Sequence, residues 1–327
     1  MNIIEFGDCR ETMRRWADQG VKAQMCVTSP PYFGLRDYGH DGQIGLENTP
    51  EEYIAAMVDV FRCVRDVLAD DGTVWLNIGD SYAAAGGAQV QGTKQAKGSQ
   101  AGAWNGETRK PPQGIKPKDL IGIPWMLAFA LRADGWYLRQ DIIWHKPNPM
   151  PESVRDRCTK AHEYVFLLSK SEKYHYDAEA VMEPVAESTV ARLNQPTLHQ
   201  QEGSPRVPGK TNGNMKAVGR TDKRNRRSVW TVATRPYKGA HFATFPPALI
   251  EPCILAGSRP GQVVLDPFMG SGTTAQVALQ HGRKYLGCEL NPDYEQLQQD
   301  RIRSVTDLFS HAHSGSILEP MVTKEAV

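Results

Sequence analysis

Residues 263–275 read Val-Val-Leu-Asp-Pro-Phe-Met-Gly-Ser-Gly-Thr-Thr-Ala, and this stretch decides the fold class. Its apolar beginning predicts a buried strand, its two glycines predict a tight turn, and the threonines begin a helical pattern. Glycines in such a turn let the backbone approach a ligand closely, and the first N–H groups of the helix are free to bind an anion. The stretch therefore indicates the ligand-binding turn of an α/β protein.

Outward from this turn, short apolar strands alternate with amphipathic helices along most of the chain. Strands are predicted at 2–6, 24–28, 73–78, 137–145, 162–169, 263–265 and 284–289, and helices at 50–68, 119–133, 246–256 and 273–281. This alternation predicts an α/β fold with a largely parallel central sheet. Two stretches, 83–118 and 178–235, interrupt the pattern.

The residues around the glycine turn restrict the class of ligand that the turn can bind. Thr273 stands where a phosphate-binding loop carries lysine, so a nucleoside triphosphate is not expected. The spacing of Gly270, Gly272 and Ala275 loosely fits a dinucleotide pattern. Glu289 follows Gly272 by 17 residues, at the end of the next strand, where a carboxylate can accept both ribose hydroxyls of an adenosine. At this point NAD and S-adenosylmethionine both remain open.

Composition excludes several classes of protein. The chain has 327 residues, of which 40% are hydrophobic, with 38 Lys and Arg against 37 Asp and Glu, so wholesale disorder is excluded. No window approaches the ~18 apolar residues of a membrane span, and the N-terminus does not resemble a signal peptide. The six cysteines include no Cys-x-x-Cys pair, and no metal site is expected. We therefore expect a cytoplasmic protein.

The near-zero net charge conceals two basic stretches. Residues 192–238 carry 11 Lys and Arg with two acids, a net charge of +9, and residues 83–118 carry a net charge of +5. Both are poor in large apolar residues, so neither can bury a core of its own, and 83–118 is interpreted as a flexible basic loop. In the first stretch, 223–227 concentrate positive charge as phosphate binding requires, which favours contact with a polyanion.

Ser29-Pro30-Pro31-Tyr32, directly after the strand at 24–28, distinguishes between the two adenosine ligands. Two prolines fix the backbone and remove two N–H donors, so the carbonyls before and after them are expected to be unpaired acceptors. Ser29 adds a hydroxyl group and Tyr32 an aromatic face. Such a set suits an exocyclic amine, which needs acceptors for its hydrogens and a platform for its ring.

At these residues the chain resembles a known family, the amino-group DNA methyltransferases that use S-adenosylmethionine. Residues 29–32 look like the family's catalytic motif, and 266–274 look like its cofactor motif. The catalytic motif precedes a basic region, which precedes the cofactor motif, and this permuted order is the one called the beta class. The resemblance implies a Rossmann-like methyltransferase fold with a basic target-recognition insertion at 178–235, double-stranded DNA as partner, and S-adenosylmethionine as cofactor.

Shorter segments extend the resemblance and imply roles for individual residues. Residues 6–9 are similar to the element that reads the cofactor adenine, 142–149 to the strand and loop beside the target base, and 241–246 to the segment over the methionine end. The implied catalytic residues are Ser29, Pro30, Pro31 and Tyr32. The implied cofactor-binding residues are Asp8, Thr28, Phe245, Asp266, Pro267, Phe268, Gly270, Ser271, Gly272, Thr273, Glu289 and Asn291. The implied DNA-binding residues are Lys146, Lys223, Arg224, Arg226 and Arg227.

The expected division of the chain follows from the motif order. Residues 1–177 form the first part of the catalytic domain, 178–235 the target-recognition region, 236–310 the cofactor-binding part, and 311–327 a disordered tail. We expect a monomer or homodimer encoded by a prokaryote or phage, with a companion restriction endonuclease as a further possible partner.

The expected reaction is direct methyl transfer to a flipped base, with no covalent enzyme intermediate. Ser29 is typical of the N4-cytosine type, whereas adenine-specific members usually carry Asp at that position, so N4 of cytosine is predicted before N6 of adenine. A catalytically silent DNA-binding protein and an NAD-linked oxidoreductase are the alternatives from other classes, and RNA or protein substrates stay open. Cys253 follows a proline, as the nucleophile of a C5 methyltransferase does, but its apolar helical surroundings indicate a core residue.

Overall fold

A computed structural model of the chain describes residues 1–35, 39–40, 42–83, 114–195, 222–234 and 245–314. Within these residues an eight-stranded sheet forms the centre of the fold. The strands are β1 (Ile3–Phe6), β2 (Ala23–Thr28), β3 (Leu68–Ile78), β4 (Tyr137–His145), β5 (His162–Ser169), β6 (Glu183–Pro184), β7 (Lys223–Arg224), β8 (Val229–Thr231), β9 (Val263–Asp266) and β10 (Lys284–Glu289). Strands β6 and β7 form a separate antiparallel pair.

The order across the sheet is β1-β10-β9-β2-β3-β5-β4-β8. Every neighbouring pair is parallel except the two that involve β5, which runs antiparallel to both β3 and β4. The expectation of a mostly parallel sheet is therefore confirmed. The last two strands of the sequence, β9 and β10, lie between the first two, β1 and β2. This placement brings the two ends of the chain into one sheet.

Helices cover both faces of the sheet. They are α1 (Cys9–Asp18), α2 (Pro50–Val67), α3 (Ile123–Ala133), α4 (Glu187–Leu193), α5 (Pro247–Gly257), α6 (Thr273–Gln280) and α7 (Glu295–Ser314), with 3₁₀ turns at Glu179–Val181 and Pro292–Tyr294. One apolar cluster joins α1, α2 and α3 to one face, and a second joins α5 and α6 to the other. Among the helices that the structure describes, none combines the length and the apolar character of a membrane span.

The sheet order determines where the predicted site residues meet. Thr28, Asp266 and Glu289 each end a strand, and β2, β9 and β10 are adjacent and parallel. Asp8 follows β1, the neighbour of β10. Because parallel strands end at the same edge of a sheet, residues separated by more than 200 positions in the sequence lie together there.

Several predicted boundaries were wrong. The helix expected at 119–133 begins at Ile123, because the Asp80 carboxylate accepts hydrogen bonds from the backbone N–H groups of Gly122 and Ile123. Strand β3 begins at Leu68, where a helix end and turn were expected, and Lys170 donates to the Leu68 carbonyl there. Helix α7 continues to Ser314, so 311–314 are helical and not part of a disordered tail.

Some predictions concern residues outside the described part of the chain. These are most of the basic loop, 84–113, much of the target-recognition region, 196–221 and 235, the residues 241–244 of the segment over the methionine end, and the tail from 315 onward.

Candidate active site

A cavity of about 860 Å³ lies at the carboxyl ends of the parallel strands. Most residues predicted for the site line it: Asp8, Ser29, Pro30, Pro31, Tyr32, Lys146, Phe245, Pro267, Phe268, Gly270, Ser271, Thr273, Glu289 and Asn291. Its volume lies within the range of small-molecule and cofactor sites. The structure therefore brings the two predicted motifs together in one cavity.

Backbone contacts hold the Ser-Pro-Pro-Tyr segment. The hydroxyl of Tyr53 donates to the Pro31 carbonyl at 2.8 Å, and the N–H of Leu35 donates to the Tyr32 carbonyl at 3.2 Å. The expectation that the carbonyls around the prolines are unpaired was therefore wrong for these two residues. Among the described residues no backbone donor contacts the Pro30 carbonyl, and Pro30 lines the cavity.

Tyr32 belongs to a polar network that sequence reasoning missed. Its hydroxyl donates to Oε2 of Glu163 at 2.8 Å, and Asn77 donates to the same oxygen at 3.3 Å. Oε1 of Glu163 accepts a hydrogen bond from the ammonium group of Lys146. Burial, and then the neighbouring Glu163 carboxylate, raise the pKa of Tyr32 well above its usual value, whereas a hydrogen bond with Ser29 acts in the opposite direction. Tyr32 is therefore a neutral donor that lies beside Ser29.

Two glycines leave room for Tyr32. A Cβ atom on Gly79 would lie 2.6 Å from Cε2 of the Tyr32 ring and 3.3 Å from the carboxyl carbon of Glu163. Gly45 has φ +110°, and a Cβ there would lie 3.2 Å from the Tyr32 carbonyl oxygen. The approach at Gly79 is closer than Cβ atoms come to other atoms, so a larger residue there would displace the Tyr32 ring. At Gly45 the contact is tight and the positive φ itself favours glycine.

Asp266 lies beneath the glycine turn and does not line the cavity. The carboxylate accepts hydrogen bonds from the hydroxyls of Thr28 and Thr274, each at 2.6 Å, and from the N–H of Phe268 at 3.0 Å. Complete burial raises the pKa of Asp266 to about 6, although the three donors act against that shift. Asp266 and Thr28, which were predicted to bind the cofactor directly, therefore act here by joining β2 to the turn after β9.

Glu289 connects the end of β10 to the same turn. Its carboxylate accepts from the N–H of Gly270 at 2.7 Å and from the N–H of Asn291 at 2.9 Å. Burial raises the pKa of Glu289, and the two backbone donors partly offset this effect. Both partners and Glu289 itself line the cavity. The carboxylate has capacity for further hydrogen bonds on the cavity side.

Asp8 occupies the neighbouring corner of the cavity. It caps helix α1 through the N–H of Arg10 at 2.7 Å, and the Arg10 guanidinium forms an ion pair with it. The hydrogen bond from Arg10 lowers the pKa of Asp8, so this carboxylate is ionised at neutral pH. An ionised carboxylate at this position can accept a hydrogen bond from an amine.

The turn itself offers polar atoms without protein partners. The hydroxyl of Ser271 is buried, lines the cavity and has no hydrogen-bond partner among the described residues. Gly272 has φ +86°, and α6 begins directly after it, so the first N–H groups of that helix face the turn. A buried hydroxyl without a partner is costly unless a ligand satisfies it. The free N–H groups of the turn therefore suit a carboxylate, Glu289 suits ribose hydroxyls, and Asp8 suits the amine of an adenine. The cavity fits a cofactor that carries all three groups.

Comparison with known proteins agrees with this arrangement. The sequence model of a family described as DNA methylase, comprising N6 and N4 enzymes, matches residues 23–300. The chain belongs to this family. It is 49% identical over 302 residues to the type II methyltransferase M.SmaI of Serratia marcescens, covering 91% of this chain and 90% of that protein. It is 48% identical to M.Cfr9I of Citrobacter freundii, covering 91% and 86%.

Solved structures share the fold of this DNA methylase. A putative DNA modification methylase of Thermus thermophilus, in complex with S-adenosyl-L-methionine, is 21% identical, with a TM-score of 0.56 over 93% of this chain and 94% of that one. The PvuII DNA methyltransferase, described as cytosine-N4-specific, is 18% identical, with a TM-score of 0.57 over 95% and 92%. The protein is an S-adenosylmethionine-dependent DNA methyltransferase with a Rossmann-like fold.

The predicted DNA-binding residues of the methylase divide into two places. Lys146 lies in the cavity, with its side chain 19% exposed. The guanidinium groups of Arg224 and Arg227 lie 2.9 and 3.7 Å from the Glu183 carboxylate. Arg226 lies over the Trp230 ring, and Lys223 is exposed. None of these four basic residues lines the cavity. Contact of these four residues with DNA stays a prediction.

The cysteines of the methylase support the amino-group assignment. Cys253 is 1% exposed in α5, its thiol contacts the Leu249 carbonyl, and burial raises its pKa far above the usual value. A buried neutral thiol cannot serve as the nucleophile that a C5 methyltransferase needs. The expectation of a core cysteine is confirmed. Within the described residues no cluster of metal-ligating side chains occurs.

Proposed function

We propose that this methylase transfers a methyl group from S-adenosylmethionine to the exocyclic N4 of cytosine in double-stranded DNA. The observation that carries the proposal is the shared cavity, which Ser29 and Tyr32 line together with Glu289 and the glycine turn. Ser29 supplies a neutral hydroxyl where the adenine type usually has a carboxylate. The PvuII enzyme, which shares the fold, is cytosine-N4-specific, and this supports the choice of cytosine.

The chemistry follows from the cavity residues. The bound cofactor supplies an electrophilic methyl group on its sulfonium. The target base must leave the duplex for its amine to enter the cavity, which costs a few kcal/mol, and stacking on Tyr32 offsets this by ~1–3 kcal/mol. Ser29 and the Pro30 carbonyl accept hydrogen bonds from the amine. They thereby orient the nitrogen lone pair for direct displacement.

The cofactor contacts in this proposal follow the corners of the cavity. The N-terminus of α6 and the Ser271 hydroxyl hold the methionine carboxylate, Glu289 the ribose hydroxyls and Asp8 the adenine amine. Phe268 and Phe245, which line the wall, pack on the cofactor. Asp266 and Thr28 position the turn from below. The exposed Lys223 and its neighbours contact DNA phosphate.

N6-adenine methylation is the alternative, because the same cavity can hold either exocyclic amine. The close relatives are type II methyltransferases, so a companion restriction endonuclease with the same recognition sequence is part of the proposal.

The test is incubation of the purified protein with labelled S-adenosylmethionine and mixed-sequence duplex DNA, followed by digestion to nucleosides and mass spectrometry. N4-methylcytosine is expected. N6-methyladenine would overturn the assignment of the base, and absence of methyl from all DNA nucleosides would overturn the proposal as a whole.

A control separates the proposed reaction from C5 methylation. Cys253→Ser should leave the methylated product unchanged, because the buried thiol lies in α5 outside the cavity lining. A product that disappears in this variant while the protein stays folded would contradict direct transfer.

A further inference from the structure

Lys146 lines the cavity, and the sequence assigned it to DNA without a defined partner. It follows β4 directly, and its side chain is 19% exposed, too enclosed for a freely solvated phosphate contact. Its ammonium group lies 4.3 Å from the centre of the Trp144 ring and forms an ion pair with Glu163. The cavity lining includes all three residues.

Hydrogen bonds through Glu163 connect Lys146 to the proposed base platform. Glu163 accepts from Lys146 with Oε1 and from the Tyr32 hydroxyl with Oε2. The ammonium group therefore lies beyond the hydroxyl end of the Tyr32 ring. A base stacked on the ring lies parallel to it, so groups at the rim of the ring meet the edge of the base and not its face. Lys146 thus faces the edge that carries hydrogen-bonding atoms.

An ammonium group has three N–H donors, and Glu163 uses one. Among the described residues no other side chain or carbonyl accepts from Lys146. The Trp144 ring also faces the ammonium group, and within the described part of the chain a remaining N–H donor is left for an acceptor of a bound molecule or for water. A partly buried donor of this kind discriminates strongly between ligands that carry an acceptor at that position and those that do not.

We infer that Lys146 reads the carbonyl edge of the flipped base and so determines the preference for cytosine. This inference rests on the proposed function. With the exocyclic amine held at Ser29, cytosine presents N3 and then the O2 carbonyl along its edge, whereas adenine presents N1 and then a C2–H group. A donor at the second position hydrogen-bonds cytosine and meets a carbon-bound hydrogen in adenine. Glu163 and Trp144 position the ammonium group for this contact.

The test compares two target bases in two proteins. Once the wild-type enzyme has revealed its methylated position, duplexes with cytosine or 2-thiocytosine at that position are methylated by the wild type and by Lys146→Met. The sulfur atom is a much weaker acceptor than oxygen. The wild type should lose about tenfold in kcat/KM with 2-thiocytosine, the size expected for a hydrogen bond from a charged donor. Lys146→Met should be slow with both bases and should differ less than about twofold between them.

Matched variants distinguish recognition of the base by Lys146 from a general loss of stability. Lys170→Met removes an ammonium group that is similarly enclosed, at 17% exposure, but bonded to the Leu68 carbonyl away from the cavity, and it should keep the wild-type ratio between the two bases. Lys146→Met combined with Glu163→Gln removes the unpaired carboxylate that the single change leaves, and it should behave like Lys146→Met.

Each outcome decides a separate point. If the ratio of kcat/KM for cytosine to that for 2-thiocytosine were the same in the wild type and in Lys146→Met, the inference would be overturned. The proposal of N4-cytosine methylation would remain intact. A wild-type product of N6-methyladenine would overturn both, because adenine has no carbonyl at that edge. If Lys170→Met also lost the preference for cytosine over 2-thiocytosine, the effect would come from reduced stability, and the role of Lys146 would be overturned.

Discussion

The hydroxyl of Tyr32 donates a 2.8 Å hydrogen bond to Glu163, a residue 131 positions further along the chain. Tyr32 follows β2 and Glu163 lies at the beginning of β5, so the contact crosses the sheet over β3. It holds the aromatic face of the catalytic motif at one angle. Single substitutions at this contact and at the glycine turn, which lines the same cavity, should therefore have separable effects on DNA and cofactor.

Tyr32→Ala and Tyr32→Phe should have graded effects. Tyr32→Ala removes the stacking platform and should lower kcat/KM about a hundredfold, while Tyr32→Phe keeps the ring, loses the bond to Glu163 and should lower it about tenfold. Steady-state methylation of duplex DNA measures both. Calorimetry should give wild-type cofactor affinity for each variant, and full turnover by Tyr32→Ala would contradict the role in base binding.

Gly79→Ala should disturb Tyr32 without touching the cofactor turn. The new Cβ would overlap the ring at 2.6 Å, and overpacking of this kind costs about 1–3 kcal/mol. If the ring moves to relieve the overlap, kcat/KM for DNA should fall about tenfold. Titration with S-adenosylmethionine should show unchanged affinity, and an unchanged kcat/KM would mean that the ring position does not govern transfer.

Ser271→Ala should weaken cofactor binding at no cost to the free protein. The Ser271 hydroxyl is buried without a partner among the described residues, so its removal should leave the stability of the free protein unchanged or raise it by up to about 1 kcal/mol. The affinity for S-adenosylmethionine should fall about tenfold if the cofactor satisfies this hydroxyl. Thermal unfolding with and without cofactor measures both effects, and Thr12→Ala, a buried hydroxyl of α1, serves as the control. An unchanged affinity for S-adenosylmethionine would mean that the cofactor does not form a hydrogen bond with the Ser271 hydroxyl.

Asp266 should give the fold a characteristic pH dependence. Burial raises its pKa to about 6 from an unfolded value of 3.8, so the folded protein takes up this proton first as pH falls. The contribution of Asp266 to the free energy of unfolding is therefore greatest below pH ~4, and it is lost as the pH rises through ~6. Relative to Asp266→Asn, the wild type should lose up to about 3 kcal/mol between pH ~4 and ~7.

Urea unfolding of both proteins at a series of pH values measures this difference. A difference that is constant across the range would mean that Asp266 has the same pKa in the folded and unfolded states. The opposite slope would mean that its three hydrogen bonds outweigh burial.

Local pattern predicted much of the molecule. The helix predicted from residue 50 begins at Pro50, where Thr49 and Glu52 form a full capping box. The glycine turn and the strand ends at Thr28 and Glu289 were also found from neighbouring residues. These features depend on spacings of a few residues, which a sequence displays directly.

Boundaries and contacts that depend on distant partners were missed. The beginning of α3 depends on Asp80, 42 residues before Gly122. Asp266 was assigned to the cofactor because of its place in the motif, but the two threonine hydroxyls that enclose it come from β2 and α6. Arg224 was assigned to DNA from its basic surroundings, and the ion pair of its guanidinium with Glu183 in the neighbouring short strand is a contact that the sequence did not indicate.

The sequence identified the class of this protein, an α/β methylase, because Ser29–Tyr32 and the glycine turn are short runs whose chemistry depends on adjacent residues. The surroundings of those motifs follow from the tertiary structure. The pairing of Trp144 with Glu163 between β4 and β5 brings Lys146 and Glu163 to Tyr32, and the order β10-β9-β2 brings Glu289 to the same cavity. Strand pairing joins residues without regard to their separation in sequence, so the composition of the cavity wall follows from sheet order and register.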